Sequence, residues 1–457
     1  MKHLPVLSFV RRWSSWALAI KKASSSSSSP TKAMHLFSKM HRNGVPIDTF
    51  CVLFTLKSST HLQSLPIIHH LHAQIIKLGF TSQVHVATCL LNAYVLLSFI
   101  DACILFDEMP QKNIVTWNTM IFGYSRSGDI NKARELFEKM PDRDTVSWSS
   151  IISAYTNVGS YMSSLYLFRR MLFVEGTKPD QVTAGAVLSG CAHMGCVGLL
   201  AGKSVHGYVV KNGWELNVEI GAALVNMYAK GGVLRNAAMV FELMGERDVR
   251  SWTFMICGAA RCGFNREALV VFEKMQMDGI KPDELTFTGV LTACAHGGFV
   301  EEGRRYFKMI EECGLEPRVQ HYSCLVYLIG KSGMLEEAYE IIKTMRVEPT
   351  VVVLGSFLSA CKEHRQFEIA ERVIEQVLRM ANPKNDGGLY SLMADLYVIG
   401  GKFEEAERLK KLMLNEQLRQ AKELNLDTKN GLSDSLELGW VRSFPCPMAE
   451  ATTTSFW

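Results

Sequence analysis

Apolar residues recur along this chain at helical spacing, in two runs separated by a turn. Residues 114–144, IVTWNTMIFGYSRSGDINKARELFEKMPDRD, show the pattern most clearly. The first run places apolar side chains at positions i, i+3, i+4 and i+7 of one helical face, namely Trp117, Met120, Ile121 and Tyr124. The second run repeats this with Ile130, Ala133, Phe137 and Met140. Because Gly128 can end one helix and Asp129 can cap the next, the segment predicts a helical hairpin.

The hairpin pattern returns downstream in units of similar length. Further units occupy residues 145–180, 181–217, 218–248 and 249–283, with 36, 37, 31 and 35 residues. One cycle of three lengths spans 104 residues, which is the interval between PDRDTVSW, beginning at residue 141, and GERDVRSW, beginning at residue 245. The sequence therefore predicts a repeat array.

A helix pair of about 35 residues cannot bury its apolar faces alone, but a stack of such pairs can. The predicted fold class is all-α, a right-handed α-solenoid superhelix of helix-turn-helix repeats. In such a stack one helix of each pair lines the concave surface, and residues at the same position of successive repeats line up along it.

Basic residues are concentrated at the N terminus. The chain of 457 residues has a formal net charge of +4, yet residues 1–47 hold eight basic side chains and no acidic one. This leaves 41 basic and 45 acidic residues in the remainder, so bulk charge gives no argument for nucleic-acid binding. No stretch reaches the ~18 apolar residues of a membrane span, and a soluble protein without a membrane partner is expected.

Residues 1–30, MKHLPVLSFVRRWSSWALAIKKASSSSSSP, are free of acids, rich in Arg, Lys and Ser, and apolar at helical spacing. This composition is typical of an organelle transit peptide, and a disordered tail is the alternative. The Arg11-Arg12 pair favours the mitochondrion, with the chloroplast as the alternative location.

The cysteine and histidine pattern argues against a metal or cofactor site. Twelve cysteines include no CxxC pair, and Cys191, Cys294 and Cys361 end the similar strings LSGC, LTAC and LSAC, as small buried residues at one repeat position would. His72 and His206 are also repeat equivalents, so the string HHLH at residues 69–72 is expected at a helix surface. The string GLLAGKS has three residues between its glycines where a phosphate-binding loop needs four.

Several strings resemble one known family in register: VTWNTMI, NMYAKGG, ARELFEKMPDRD and GIKPDELTFTGVLTACAHGG. They are similar to plant pentatricopeptide repeat proteins of the PLS class, in which P, L and S repeats alternate, and the similarity covers about residues 31–416. The signature of tetratricopeptide repeats, W-x₂-L-G-x₂-Y, is not found. The resemblance implies a repeat array at 31–350, degenerate E-type repeats at 351–416 and a divergent tail at 417–457.

In that family each repeat reads about one RNA base through the fifth residue of its first helix and the last residue of the repeat. Carried over to this chain, four pairs are implied for adenine, uracil, guanine and guanine in turn: Thr88 with Asn113, Asn118 with Asp144, Ser149 with Asp180, and Thr253 with Asp283. Two units depart from the pattern, through Ala222 with Asp248 and Ser323 with Thr350. The alternative for any single pair is an ordinary helix cap, since Asp, Asn, Ser and Thr are the preferred capping residues.

Many relatives in this class carry a cytidine deaminase domain with H-x-E and P-C-x-x-C zinc motifs. This chain has no H-x-E, Pro445-Cys446 is followed by no second Cys, and the last residues are Ser455-Phe456-Trp457. The resemblance therefore implies a protein that is not an enzyme: a sequence-specific adaptor for single-stranded organellar RNA, which selects cytidines for C-to-U editing by recruiting a deaminase in trans, with other editing factors. The alternatives are an RNA stability, splicing or translation factor without editing, and a protein-binding helical scaffold.

Overall fold

The computed structural model describes residues 16–24, 30–382 and 386–415, and all regular structure in these ranges is helical. The all-α prediction is therefore confirmed. Most of the predicted transit peptide and the divergent tail at 417–457 lie outside the described residues. None of the described helices combines the length and apolar character that a bilayer crossing requires.

Twenty-four α-helices follow one another in these ranges: α1 (16–24), α2 (Pro30–Arg42), α3 (Thr49–His61), α4 (Leu65–Lys77), α5 (Val84–Leu97), α6 (Phe99–Glu108), α7 (Ile114–Arg126), α8 (Ile130–Lys139), α9 (Thr145–Asn157), α10 (Tyr161–Phe173), α11 (Gln181–His193), α12 (Leu199–Lys211), α13 (Val218–Lys230), α14 (Leu234–Leu243), α15 (Val249–Arg261), α16 (Asn265–Met277), α17 (Glu284–Gly297), α18 (Val300–Glu312), α19 (Val319–Lys331), α20 (Leu335–Thr344), α21 (Val351–Glu363), α22 (Phe367–Met380), α23 (Gly387–Ile399) and α24 (403–415). A single turn of 3₁₀ helix, Phe80–Ser82, separates α4 from α5.

From α3 onward, odd-numbered helices are the first and even-numbered helices the second members of hairpins. The chain forms two compact units, residues 1–190 and 191–457. In the N-terminal unit α3, α5, α7 and α9 pack in sequence, each on the next; in the C-terminal unit α13, α15, α17, α19, α21 and α23 do the same. Within both units second helices pack on their own first helices, as α8 does on α7 and α16 does on α15. This layering of hairpins is the arrangement of an α-solenoid.

The turn inside the hairpin at 114–144 follows from two residues. Gly128 has a φ of 85°, in the left-handed region that favours glycine, and it directly follows the last turn of α7. The Asp129 carboxylate accepts a hydrogen bond from the Lys132 amide at 3.0 Å and caps α8. Glu135 and Lys139 form the expected exposed ion pair at 2.6 Å. The predicted start and end signals of this hairpin are confirmed.

The two copies of the repeated phrase, PDRDTVSW and GERDVRSW, make the same contacts. Arg143 Nε donates to the Phe137 carbonyl oxygen at 2.9 Å, and Arg247 Nε donates to the Phe241 carbonyl oxygen at 2.9 Å. Each guanidinium also lies over the ring of the phenylalanine to which it bonds. The arginine thus satisfies a carbonyl at the end of one repeat's second helix, while the Asp beside it caps the next repeat's first helix.

Aromatic side chains pack together at the same two junctions between successive repeats. Phe137 and Trp148 meet edge to face with ring centroids 4.8 Å apart, and Phe241 and Trp252 meet in the same way at 4.8 Å. All four side chains are buried. Since each pair joins the second helix of one unit to the first helix of the next, one repeat buries the apolar face that its neighbour cannot cover alone.

The three cysteines at one repeat position are fully buried, as predicted. Burial raises the pKa of Cys191 to about 11 and the pKa of Cys294 and Cys361 to about 12, so all three are neutral thiols. They serve as small core residues at equivalent places in α11, α17 and α21.

The surface placement expected for the HHLH string is right for His69 and His70, which are exposed, but not for His72. His72 is half-buried, with Nδ1 3.0 Å from the Tyr94 hydroxyl, and His206 Nδ1 lies 2.8 Å from the Tyr228 hydroxyl in the equivalent place. The repeat period therefore predicts that these histidines correspond, whereas their shared tyrosine contact appears only on folding.

Candidate functional site

In the repeat at 84–113 the fifth residue of the first helix and the last residue of the repeat meet in a groove on the first-helix layer. In the N-terminal compact unit, Thr88 and Asn113 line one cavity of about 570 Å³ between α3, α5 and α7. Leu53 and Val115 add apolar surface to this cavity, and Asn92 adds a second amide. A neighbouring cavity of about 550 Å³ shares Leu53 and Asn92 and is lined by further residues of α3 and α5.

The last residue of each decoded repeat is also the N-cap of the next first helix. One side-chain oxygen, Oδ1, accepts the backbone N–H of the third residue of that helix at 2.7 to 2.9 Å, in Asn113, Asp144, Asp180, Asp248 and Asp283. The capping role and the proposed reading role are therefore compatible, because capping uses Oδ1 and leaves the second polar atom, Oδ2 or Nδ2. In Asn113 this arrangement leaves the Nδ2 amide, a hydrogen-bond donor.

The third residues of these helices are site components that the sequence reasoning missed. Each donates its hydroxyl to the same Oδ1 at 2.5 to 2.8 Å, and all are buried: Thr116, Ser147, Thr183, Ser251 and Thr286. The signal is visible in the sequence as Asp or Asn followed three residues later by Ser or Thr, which is a reciprocal capping arrangement.

The fifth residues differ in how they reach their partners. Thr88 Oγ1 lies 2.8 Å from Thr116 Oγ1, and Thr253 Oγ1 lies 2.6 Å from Thr286 Oγ1. In both units the third residue of the next repeat thus links the fifth residue to the last. Thr88 is 8% exposed and Thr253 only 1%, and the bond to Thr286 holds the Thr253 hydroxyl inside the interface between helices.

Of the other two pairs, Asn118 and Asp144 contact each other directly, whereas Ser149 and Asp180 do not. Asn118 Nδ2 donates to Asp144 Oδ1 at 3.5 Å, at the long end of hydrogen-bonding distance. Ser149, 7% exposed, donates instead to the Val146 carbonyl oxygen of its own helix at 3.0 Å. Among the described residues, Ser149 and Asp180 share no hydrogen bond, so the structure joins three of the four predicted pairs.

The carboxylate of Asp144 is held in its charged form. Partial burial favours the neutral acid, but the hydrogen bonds donated by the Ser147 hydroxyl, the Ser147 amide and Asn118 outweigh it, and the pKa of Asp144 is lowered. The pKa of Asp248 is lowered in the same way, against burial, by Ser251 and Arg250. Both groups are therefore acceptors at neutral pH.

The two units that depart from the sequence pattern also depart in structure. Ala222 is buried, and Asp248 Oδ2 accepts a hydrogen bond from Arg250 Nε at 2.8 Å, so the oxygen left over from capping is occupied. In the last S-like unit Ser323 is half-buried, and the Thr350 hydroxyl is buried without a hydrogen-bond partner among the described residues.

The second residue of the first helix is an exposed apolar side chain in many repeats. These side chains are more than half exposed in Phe50, Val115, Val146, Val182, Leu285 and Val352. The equivalent residues of α13 and α15 are charged, Glu219 and Arg250. Position two lies outside the apolar face that packs in the core, which is a signal that the sequence contained and that the pairwise analysis did not use.

Within the part of the chain that the structure describes, no three His, Cys, Asp or Glu side chains cluster as a metal ion would require. The polar groups that line the groove between α3, α5 and α7 are the hydroxyls of Thr88 and Thr119, the amides of Asn92 and Asn113, the His85 imidazole and the Cys89 thiol. This arrangement suits hydrogen bonding to a ligand.

Two models of one repeat family match the chain. The model described as PPR repeat matches residues 115–144, 146–173, 285–315, 321–348 and 389–418, and the model described as PPR repeat family matches residues 247–296. The last of these matches, 389–418, begins in the region that the resemblance assigns to the E-type extension and ends two residues beyond it.

Curated pentatricopeptide repeat-containing proteins of Arabidopsis thaliana align over most of the chain. One is 42% identical over 393 residues, covering 84% of this chain and 72% of the relative. A relative named mitochondrial is 38% identical over 388 residues, covering 83% of this chain and 76% of the relative. A relative named CRR2, chloroplastic, is 32% identical over 398 residues, covering 85% of this chain and 55% of the relative.

The crystal structure of the pentatricopeptide repeat protein PPR10 from maize superposes on this chain with a TM-score of 0.58 at 20% sequence identity. The match covers 85% of this chain and 57% of that one. At this identity the likeness concerns the fold, which is a stack of helical hairpins in both proteins.

Proposed function

Because the chain belongs to the pentatricopeptide repeat family, we propose that it binds single-stranded RNA and reads bases with the fifth and last residues of successive repeats. The observation that carries the proposal is the groove in which Thr88 and Asn113 lie together between α3, α5 and α7. Leu53 and Val115 flank this polar pair, so the groove offers a surface for a base plane beside atoms for a base edge.

The donor and acceptor chemistry of the pairs supports the assigned bases. Asn113 keeps Nδ2 as a donor for the ring acceptor N1 of adenine, because capping uses its Oδ1. Asp144 offers Oδ2 as an acceptor for the N3–H of uracil, and Asn118 has a second amide N–H for a uracil carbonyl. Capping thus leaves a donor at Asn113 and an acceptor at Asp144, which fit the bases that the resemblance implies for these two repeats.

Exposed apolar residues at position two supply the stacking surface in the proposed complex. Val115, Val146 and Leu285 each lie three residues before a fifth residue, on the same side of the helix. Stacking on such side chains and ionic contacts to phosphates add affinity without base preference, and the ionic part weakens with salt. Base preference comes from the polar groups at the fifth and last positions.

The biological role we propose is that of an adaptor in an organelle, which selects cytidines for C-to-U editing and recruits a deaminase in trans, together with other editing factors. The relatives named mitochondrial and chloroplastic support an organelle, and the Arg11-Arg12 pair in residues 1–30 favours the mitochondrion. The proposed plan is an array at 31–350 followed by E-type repeats at 351–416.

The RNA-reading proposal is tested with the purified full-length chain and a panel of single-stranded RNAs that differ at one base. Asn118→Thr converts the pair at 114–144 into the type found in Thr253 with Asp283, and should move the preference at one base from uracil to guanine. Glu135→Gln, on the exposed side of α8, is the control and should leave the preference unchanged. An unchanged preference in Asn118→Thr contradicts modular reading, and a wild-type protein without base selectivity favours the scaffold alternative.

The editing role is tested by sequencing organellar RNA from a null mutant. Loss of C-to-U conversion at one or a few sites supports it, and those sites should lie next to a sequence that fits the decoded bases. Normal editing with altered transcript abundance, splicing or translation would instead support the alternative role without editing.

A further inference from the structure

A chain of three hydrogen bonds crosses from one repeat into the next at residues 253, 283 and 286. The Thr253 hydroxyl lies 2.6 Å from the Thr286 hydroxyl, and Thr286 Oγ1 donates to Asp283 Oδ1 at 2.7 Å. The Asp283 backbone N–H donates to Thr286 Oγ1 at 3.2 Å. Thr286 is fully buried and belongs to the first helix of the repeat after the one whose pair it joins.

We propose that Thr286 is a specificity-determining positioning residue for the repeat at 249–283, which makes that repeat's base reader a set of three residues drawn from two repeats. This inference rests on the proposed RNA-reading function. Thr286 acts through Thr253 and Asp283 and need not touch the RNA.

The direction of each hydrogen bond follows from counting protons. A carboxylate only accepts, so the Thr286 proton must point to Asp283 Oδ1. A hydroxyl oxygen has two lone pairs, and those of Thr286 accept the Asp283 N–H and the Thr253 hydroxyl proton. The Thr253 hydroxyl therefore donates its proton to the Thr286 oxygen, and it has no second proton to donate to a base.

The consequence is a reader that offers acceptors and no donor. Asp283 Oδ2 makes no hydrogen bond among the described residues and is the acceptor left for RNA. Guanine presents adjacent donors, N1–H and N2–H, to such a reader, whereas adenine presents the acceptor N1 at the same edge and finds no donor. Thr286 thus favours guanine over adenine by holding the Thr253 proton inward.

The repeat at 84–113 has the same series of hydrogen bonds, but its last residue is asparagine, Asn113, and not aspartate. Thr88 Oγ1 lies 2.8 Å from Thr116 Oγ1 and also 2.7 Å from the Val84 carbonyl oxygen, so its proton has two internal acceptors. Thr116 donates its hydroxyl and its amide to Asn113 Oδ1, which turns the Nδ2 donor to the groove. The same chain therefore yields a donor where the last residue is Asn and acceptors where it is Asp.

The repeat at 145–180 provides a matched control inside the molecule. Thr183 caps with Asp180 through its amide at 2.8 Å and its hydroxyl at 2.6 Å, as Thr286 does with Asp283. Ser149, however, donates to the Val146 carbonyl oxygen and not to Thr183. Thr183→Val therefore removes an equivalent capping hydroxyl without releasing a proton from a fifth residue.

The experiment uses the full-length chain and single-stranded RNAs that carry guanine or adenine at the base facing the repeat at 249–283. Dissociation constants are measured for the wild type, Thr286→Val, Thr286→Ser, Thr253→Val and the double variant Thr253→Val with Thr286→Val. Thr183→Val is measured in the same way on RNAs that carry guanine or adenine at the base facing the repeat at 145–180. Thr286→Val should lower the guanine-to-adenine ratio by about tenfold at that base, and Thr286→Ser should preserve it. The double variant should regain the selectivity of Thr253→Val alone, because no hydroxyl is left to donate to adenine.

Three results distinguish the levels of the argument. If the wild type prefers guanine and Thr286→Val keeps the same guanine-to-adenine ratio, the positioning role is overturned and the proposed function stands. The same holds if the double variant discriminates no better than Thr286→Val. If Thr183→Val lowers selectivity equally at its own base, the effect is loss of the cap and the inference is again overturned. If the wild type shows no base-selective RNA binding, the proposed function fails and the inference fails with it.

Discussion

Replacing Asp144 with alanine is expected to loosen the start of α9 while leaving distant repeats unchanged. The Asp144 carboxylate accepts the Ser147 amide at 2.8 Å, the Ser147 hydroxyl at 2.7 Å and the Asn118 amide at 3.5 Å. Loss of an N-cap costs about 1 kcal/mol, and a buried hydroxyl left without its acceptor costs about 1 kcal/mol more. The local free energy of opening should therefore fall by about 2 kcal/mol.

Native-state hydrogen exchange measures this change where it occurs. A repeat array opens locally, so a single midpoint for the whole chain would average over many repeats. A loss of about 2 kcal/mol corresponds to roughly 30-fold faster exchange of the amides in α9. Asp142→Ala is the matched control, because Asp142 lies in the same turn, is exposed and makes no hydrogen bond among the described residues.

The charge of Asp144 makes the local free energy of opening at the start of α9 depend on pH. The pKa of Asp144 is lowered in the folded state, because the hydrogen bonds from Ser147 and Asn118 outweigh partial burial. Its contribution is therefore present above the unfolded pKa of about 3.9 and is lost as the pH falls through the lower folded value. Asp144→Asn should keep most of the cap and lose this acid dependence. Equal exchange rates in α9 for Asp144→Ala and Asp142→Ala would refute the capping argument.

Two further predictions concern contacts at the end of α8 and between α12 and α13. Arg143→Ala should destabilise the end of α8 by about 1 to 2 kcal/mol, because Arg143 donates to the Phe137 carbonyl oxygen and covers its ring. Lys139→Ala removes only an exposed ion pair and should change the exchange of α8 far less, and equal exchange of α8 in both variants would contradict this. Burial beside Tyr228 lowers the pKa of His206 in the folded protein. Below about pH 6.5 the unfolded state therefore binds a proton that the folded state does not, so falling pH weakens the contact of α12 with α13. His206→Gln should flatten the pH dependence of exchange in α12 between about pH 7 and pH 5, and an unchanged slope would exclude His206 as its source.

Much of the fold could be predicted because the information is local and repeated. The first helices α7, α9, α13 and α15 begin at residues 114, 145, 218 and 249, where the apolar pattern restarts. Capping residues and turn glycines act over three or four positions, so a single sequence contains their signal. The repeat period also placed His72 and His206, and the three buried cysteines, at equivalent positions.

The site could be predicted less completely, because it depends on contacts between repeats. Thr253 and Ser149 occupy the same repeat position, but one hydroxyl bonds to the next repeat and the other to its own helix. Likewise Arg250 occupies the second oxygen of Asp248, which the pairwise code does not consider. The sequence pattern at the fifth and last positions does not distinguish these hydrogen-bond partners.

The period, the hairpin and the identity of each capping residue can be read from the amino-acid sequence, since they depend on helical spacing and on side chains within one turn. The polar atoms that remain for a ligand are set by the stacking of repeats, because stacking brings the third residue of one repeat against the fifth residue of the repeat before it. Thr286 illustrates the division: its place as a capping partner follows from the sequence, while its contact with Thr253, 33 residues away, exists only once α15 and α17 pack together.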